Sequence, residues 1–300
     1  MKKYFVSYFV FCAFLFSAIF ISCNEKNENG DSNSITLIDD VGRSVVFDKN
    51  PEKIVSLAPN LTEIIFSIGA GNKLKGVTTY CNYPDEALKI QKVADLVSVN
   101  YEALAGINPD VVFLTVEGNP KETFDKITGM GIKVFVSNPR NLSGILKTME
   151  DFGKITGNSE QAEAEKNRIL SKIDSLKNKI NYKLKPKALL LVSISPLMSV
   201  GRNTYLHELL NMAGCINISA TTNSNYPILN REEVLANNPD FIFVPSDLTM
   251  NPNEVLKVYP EWNILSAAKK GNIKIINADL VQRPGSRIAE ALEEIINKIY

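Results

Sequence analysis

Residues 100–115 and 230–245 of this 300-residue chain are copies of one another. They align without a gap and share Asn, Glu, Asn, Pro, Asp and Phe at equivalent positions, 130 residues apart. Each copy opens on an asparagine, Asn100 or Asn230, that can cap a helix by accepting from a free backbone N–H. Two residues on stands a glutamate, Glu102 or Glu232, in a first helical turn where the helix dipole favours negative charge. Pro109 and Pro239 stop the helix, because proline disfavours helical geometry in the residue before it. After Asp110 and Asp240 come VVFL and FIFV, apolar runs that read as strands buried on both faces of a parallel sheet. A helix–strand unit repeated at this separation predicts two similar α/β lobes, and two lobes meeting at a cleft can hold a small molecule. Either glutamate, taken alone, needs no role beyond stabilising its helix start.

The rest of the composition narrows the classes. With 45% hydrophobic residues the chain can bury one large core or two ordinary ones. Lys plus Arg equals Asp plus Glu, 33 each, without a long block of like charge. The basic stripe of a nucleic-acid binder is absent, and so is a source of general affinity for anionic membranes.

Residues 1–22 read as a secretory signal: Lys2 and Lys3, an apolar run from Tyr4 to Ile21, then Ser22 before Cys23. The run is nearly long enough to span a bilayer, so an uncleaved anchor is the alternative. Cys23 resembles the lipidated cysteine of bacterial lipoproteins, and residues 23–34 are polar and flexible, as a tether should be. This predicts a lipid-anchored protein facing an extracytoplasmic space, in the periplasm or at the cell surface. Cys12 leaves with the signal. Cys81 and Cys215 remain, one in each predicted lobe, and placement in separate cores favours two free buried thiols over a disulfide.

Alternating strands and helices predict a parallel α/β lobe over 35–157, with strands at Lys53–Ala58, Leu74–Thr78 and Lys133–Val136 and helices at Thr62–Ile68 and Lys121–Thr128. Residues 158–182 predict one long helix joining the lobes, about 36 Å long at 1.5 Å per residue, ended by Pro186. Residues 183–300 form the second lobe, from a strand at Lys187–Ile194 to a last helix at Ser286–Ile299 with an apolar stripe.

Catalytic patterns are missing. His207 is the chain's one histidine and falls on an ordinary helical face, so neither a protein-built metal site nor a Ser-His-Asp arrangement is supported. There is no P-loop and no Gly-x-Gly-x-x-Gly after a strand; Gly69-Ala70-Gly71 follows a helix and caps it. No enzyme, resident metal or cofactor is expected.

Three segments in order, KIVSLAPNLTEIIFSIGAGNKLKGVTTYCNYP, VNYEALAGINPDVVFL and GNIKIINADLVQRPGSRIAEALEEI, resemble the class III periplasmic binding proteins for vitamin B12, haem and ferric siderophores. The resemblance covers residues 35–300. It implies two Rossmann-like lobes with parallel sheets, a single long backbone helix and a ligand cleft between the lobes. It further implies a monomer that captures a cobalt corrinoid, or else haem or a ferric siderophore, and delivers it to the permease subunits of an ABC importer. Tyr80 and Tyr226 match cleft aromatics of the corrinoid-binding branch; others of that set fall here on Leu96, Thr115 and Met198, and Gln282 stands where the branch has glutamate. The implied ligand-binding set is Tyr80, Tyr226, Met198, Asn60, Gln282 and Arg283, aromatic faces being suited to a flat macrocycle. Arg287 has acids in its own helix to pair with. Glu102 and Glu232 match docking acids, one at the tip of each lobe, that pair with arginines of the transporter. A reading from another class is a sensor or interaction lipoprotein that keeps the fold and feeds no transporter.

Overall fold

In the computed structural model, residues 34–95, 98–221 and 223–300 are described. The signal segment, Cys23 with nearly all of the tether, and Leu96 lie outside them. The described residues open on a hairpin that the sequence did not signal: β1 (Ile35–Ile38) pairs antiparallel with β2 (Ser44–Phe47). Asp39 closes the turn by accepting from the Val41 and Arg43 N–H groups.

The N-terminal lobe then alternates β3 (Ile54–Ser56), α1 (Pro59–Ser67), β4 (Leu74–Thr78), β5 (Lys92–Ala94), α2 (Tyr101–Ile107), β6 (Val111–Thr115), α3 (Lys121–Gly129), β7 (Val134–Ser137) and α4 (Leu142–Thr156). Its sheet runs β5-β4-β3-β6-β7, all parallel. Helix α4 had no counterpart in the sequence reading because Gly144 and Gly153 interrupt it. Gly153 is a packing residue: a Cβ there would lie 2.6 Å from the Cβ of Ala162 on the next helix.

That next helix, α5 (Ser159–Lys177), has 19 residues and is about 28 Å long. It is shorter than the expected 158–182. Asn178 takes the C-cap, and the Asn181 side chain accepts from the Lys183 N–H. Such local bonds let asparagine compete with helix formation, so the segment leaves the helix well before Pro186. Ala162, Ile169, Ile173 and Leu176 form its buried stripe, and each Ile or Leu contributes about 1.5–3 kcal/mol by burial.

The C-terminal lobe comprises β8 (Lys187–Ser193), β9 (Met198–Ser199), α6 (Tyr205–Met212), β10 (Ile216–Asn217), α7 (Arg231–Asn237), β11 (Phe241–Pro245), α8 (Pro252–Val258), α9 (Ser266–Lys269), β12 (Ile273–Ile276), α10 (Ala278–Val281) and α11 (Ile288–Ile299). Its parallel strands run β10-β8-β11-β12, with β9 antiparallel on β8. The order matches β4-β3-β6-β7 of the first lobe.

The repeat occupies the same place in both sheets, as α2–β6 and α7–β11. Asn100 accepts from the Ala103 N–H at 2.9 Å, and Asn230 from the Glu233 N–H at 2.6 Å. Both helices end on a left-handed asparagine, Asn108 at φ 50° and Asn238 at φ 43°, just before the prolines. Asp110 then accepts from the Lys53 N–H that leads into β3, and Asp240 from the Lys187 N–H that starts β8.

One apolar core runs through both lobes. It joins Ile54 and Phe113 of the first sheet to Leu190 and Phe243 of the second by way of α1, α4, α5, α6 and α11. The outer face of each sheet has a core of its own, around Trp262 in one lobe and Leu104 in the other. Cys81 and Cys215 are both buried and free.

Candidate functional site

The parallel strands of both lobes point their carboxyl ends at a shared cavity of about 560 Å³, the place where open α/β sheets bind ligands. The start of α1 after β3 brings Asn60, and loops after β4, β6 and β7 bring Tyr80, Glu117 and Asn138. The loop after β11 brings Asp247, and α10 with the residues that follow it brings Asp279, Gln282 and Arg283.

Four of the six expected ligand residues line this cavity: Asn60, Tyr80, Gln282 and Arg283. Tyr80 leaves 46% of its surface free. Asn60 is buried, with its amide donating to the Pro284 carbonyl at 3.1 Å. Gln282 lies 3.5 Å from Asp247. Tyr226 and Met198 are not among the lining residues. The Tyr226 hydroxyl donates across the lobes to Glu117 at 3.1 Å. Burial and the neighbouring Glu117 carboxylate push its phenol up to about 12, so the group remains a donor at neutral pH. Met198 sits on β9 against β8 and bridges Ile228.

Arg283 is not a free cation. It is 9% exposed and donates to Glu63 (3.0 Å), Asn82 Oδ1 (2.7 Å), the Tyr80 carbonyl (3.2 Å) and Asp279 (2.6 Å). Arg287, which has acids in its own helix to pair with, crosses to the other lobe. Its Nε and Nη2 hold the two oxygens of Glu63 at 2.8 and 2.6 Å, and its guanidinium lies over the Tyr83 ring. No local spacing could show this, because Glu63 is 224 residues away. The one available signal was a lone acid inside the apolar stretch LTEIIFSI.

The charge of the lining follows. Asp95, Glu117, Asp247 and Asp279 supply carboxylates, and Arg283 is the only cationic lining residue among the described residues. Glu117 lies 3.6 Å from Arg140. Among the described residues no group of three or more His, Cys, Asp or Glu is placed to hold a metal ion, and no helix is long and apolar enough to cross a membrane. His207 is held between Asn211 and Asn217 away from the cavity.

Glu102 and Glu232 are both exposed in the first turn of their helices.

Comparison with known proteins gives one consistent picture. The profile of the family described as periplasmic binding protein matches residues 54–280. A vitamin B12-binding protein of Vibrio campbellii is 27% identical, the match covering 81% of this chain and 88% of that protein. An uncharacterised ABC transporter substrate-binding lipoprotein of Bacillus subtilis is 28% identical over 97% of this chain and 96% of its own length. Among solved structures, the periplasmic vitamin B12 binding protein of Vibrio cholerae superposes with a TM-score of 0.71 at 26% identity, covering 83% of this chain and 96% of that one.

Proposed function

This chain belongs to the periplasmic binding protein family, and from that premise we propose that it is a lipid-anchored extracytoplasmic receptor that captures a corrinoid and hands it to an ABC importer. The observation that carries the choice of ligand is the charge of the cleft. Its lining is rich in carboxylates and amides, and the one cation in it among the described residues is already engaged by Glu63 and Asp279. Haem presents two propionates, and catecholate or carboxylate siderophores are anionic; such ligands call for free arginines or lysines. A corrinoid presents a rim of neutral amides and, as cyanocobalamin, carries no net charge, so it needs no free cation and an amide-bearing wall suits its rim. Tyr80 offers an exposed ring for its flat face. The vitamin B12-binding relatives support the same choice.

Lipid anchoring rests on Cys23 and the tether after it, supported by the Bacillus relative's description as a lipoprotein. Delivery rests on Glu102 and Glu232, one exposed acid at the same place in each lobe. A spectrum and titration of the purified protein with cyanocobalamin, haemin and a ferric catecholate siderophore tests the ligand. Preferential binding of cyanocobalamin is expected, and preference for either iron chelate overturns the corrinoid assignment. Cys23→Ala should abolish metabolic fatty-acid labelling; undiminished label would place the anchor elsewhere.

A further inference from the structure

We propose that Glu63, which does not itself line the cavity, is a positioning residue that sets both the place of Tyr80 and the ligand charge the cleft accepts. The inference rests on the reading of the cleft as a chelate site. Glu63 projects from α1 of the first lobe and is 2% exposed. Both its oxygens are taken by arginines of the second lobe, Arg287 bidentately and Arg283 through Nη1. With Glu63 holding one edge, Arg283 reaches with the other nitrogen to the Tyr80 carbonyl and to Asp279. Asn82, two residues beyond Tyr80, is fixed on both sides: its oxygen accepts from Arg283 and its amide donates to Asp279 at 2.7 Å. The buried carboxylate therefore acts on the ligand loop through Arg283 and ties that loop to the opposite lobe.

The same contacts balance charge. Two arginines face two carboxylates, Glu63 and Asp279, so the cluster is neutral, and Arg283 is its member in the cavity wall. Glu63→Gln keeps the shape and leaves one positive charge in excess beside the ligand. Arg287→Gln leaves one negative charge in excess. A unit charge a few ångström away, through a wall that water partly excludes, shifts affinity for a charged ligand by about tenfold. The two variants should therefore move selectivity in opposite directions, whereas mere loss of packing would move both the same way.

Haemin and its uncharged dimethyl ester are the probes, since they share a macrocycle and differ in carboxylate charge. The ratio of their affinities, haemin over ester, should rise about tenfold in Glu63→Gln and fall about tenfold in Arg287→Gln. Glu63→Asp, which keeps the charge but shortens the reach, should leave the ratio unchanged. All three should bind cyanocobalamin more weakly, by about tenfold, as Tyr80 loosens. Ratios that stay fixed, or that shift the same way in both glutamine variants, overturn the proposal. If Glu63→Gln does not fold, the Arg287→Gln ratio decides alone. A wild-type protein that takes haemin but no cyanocobalamin sinks the corrinoid reading and leaves this test standing; one that takes neither macrocycle overturns both.

Discussion

Glu63 and the pair Glu102/Glu232 are all helix glutamates, the first in the second turn of α1 and the pair in the first turns of α2 and α7, yet they occupy opposite regimes of electrostatics. Glu63 is buried at the floor where the lobes meet, with two arginines on its two oxygens. Glu102 and Glu232 stand exposed at the starts of α2 and α7, where the cap asparagine, not the glutamate, accepts the backbone hydrogen bond. A buried carboxylate is desolvated on folding and must be paired, so its loss is felt by the whole protein. A carboxylate in water is screened and worth little to the fold, which leaves it available to a partner. The buried acid serves internal geometry; the exposed acids can serve recognition.

The sharpest way to break this contrast is Glu63→Ala. It strands two guanidinium groups at the lobe junction and should cost about 3–5 kcal/mol, as removing one partner of a buried pair does. For a protein of this size that lowers Tm by roughly 6–15 °C, read by thermal denaturation. A change of a degree or two would mean that water reaches the cluster and that Glu63 belongs with the exposed acids after all.

Next in size is the ligand wall. Replacing Tyr80 and Tyr226 together by alanine should weaken cyanocobalamin by about 1–3 kcal/mol for each ring the ligand buries. Titration calorimetry on the single variants separates them. Tyr80 lines the cavity and should carry most of the loss, while Tyr226, outside the lining, should act through Glu117. Tyr226→Phe then reproduces most of the Tyr226→Ala effect. Equal affinity in the double variant would put both rings outside the site.

What the sequence showed of this contrast was local. The repeat placed α2 and α7, their asparagine caps, their final turns before proline and the strands after them, because every one of those signals acts within a few residues. It also placed Glu102 and Glu232 at helix starts. The floor was hidden, since Glu63 meets Arg283 and Arg287 only after the chain has built both lobes. Arg283 accordingly read as a ligand contact alone; it does line the cavity, and its guanidinium also holds Glu63, Asn82 and the Tyr80 carbonyl of the other lobe. Helix α4 was hidden for a related reason: glycine at 153 reads as a breaker until Ala162 of α5 is seen against it.

Glu208 falls between the two regimes and makes a finer test. It is half-buried on α6, and its carboxylate accepts from the Leu142 N–H at the start of α4, in the other lobe. Burial raises its carboxyl above the usual glutamate value of 4.5, against the opposing pull of that N–H. A folded-state pKa raised above the unfolded one favours the protonated form. Its stabilisation is therefore complete below 4.5 and is lost as pH rises through the raised value. Glu208→Gln keeps an acceptor for Leu142 and removes the charge, so stability in that variant should no longer fall across this window. Because the group is partly exposed, solvent screening holds the difference below about 1 kcal/mol. Tm measured from pH 4 to 8 in both proteins checks it, and parallel curves would show that Glu208 is effectively solvated.

The smallest effect on fold and capture, and the most telling, belongs to Glu102 and Glu232. Glu102→Lys with Glu232→Lys reverses the favourable interaction with two helix dipoles, about 0.3–1 kcal/mol each before screening by salt. Neither residue lines the cavity, so affinity for cyanocobalamin should be unchanged. At an importer, however, two lysines would stand where two carboxylates should meet arginines, and like charges across an interface suppress association. Uptake of labelled cobalamin by cells carrying the double variant should therefore fail while the purified protein binds as before. Each single variant should lose less, since the other lobe still presents its acid. Normal uptake by the double variant would return both glutamates to the role each helix start already explains, and the repeat would then record only how the two lobes fold.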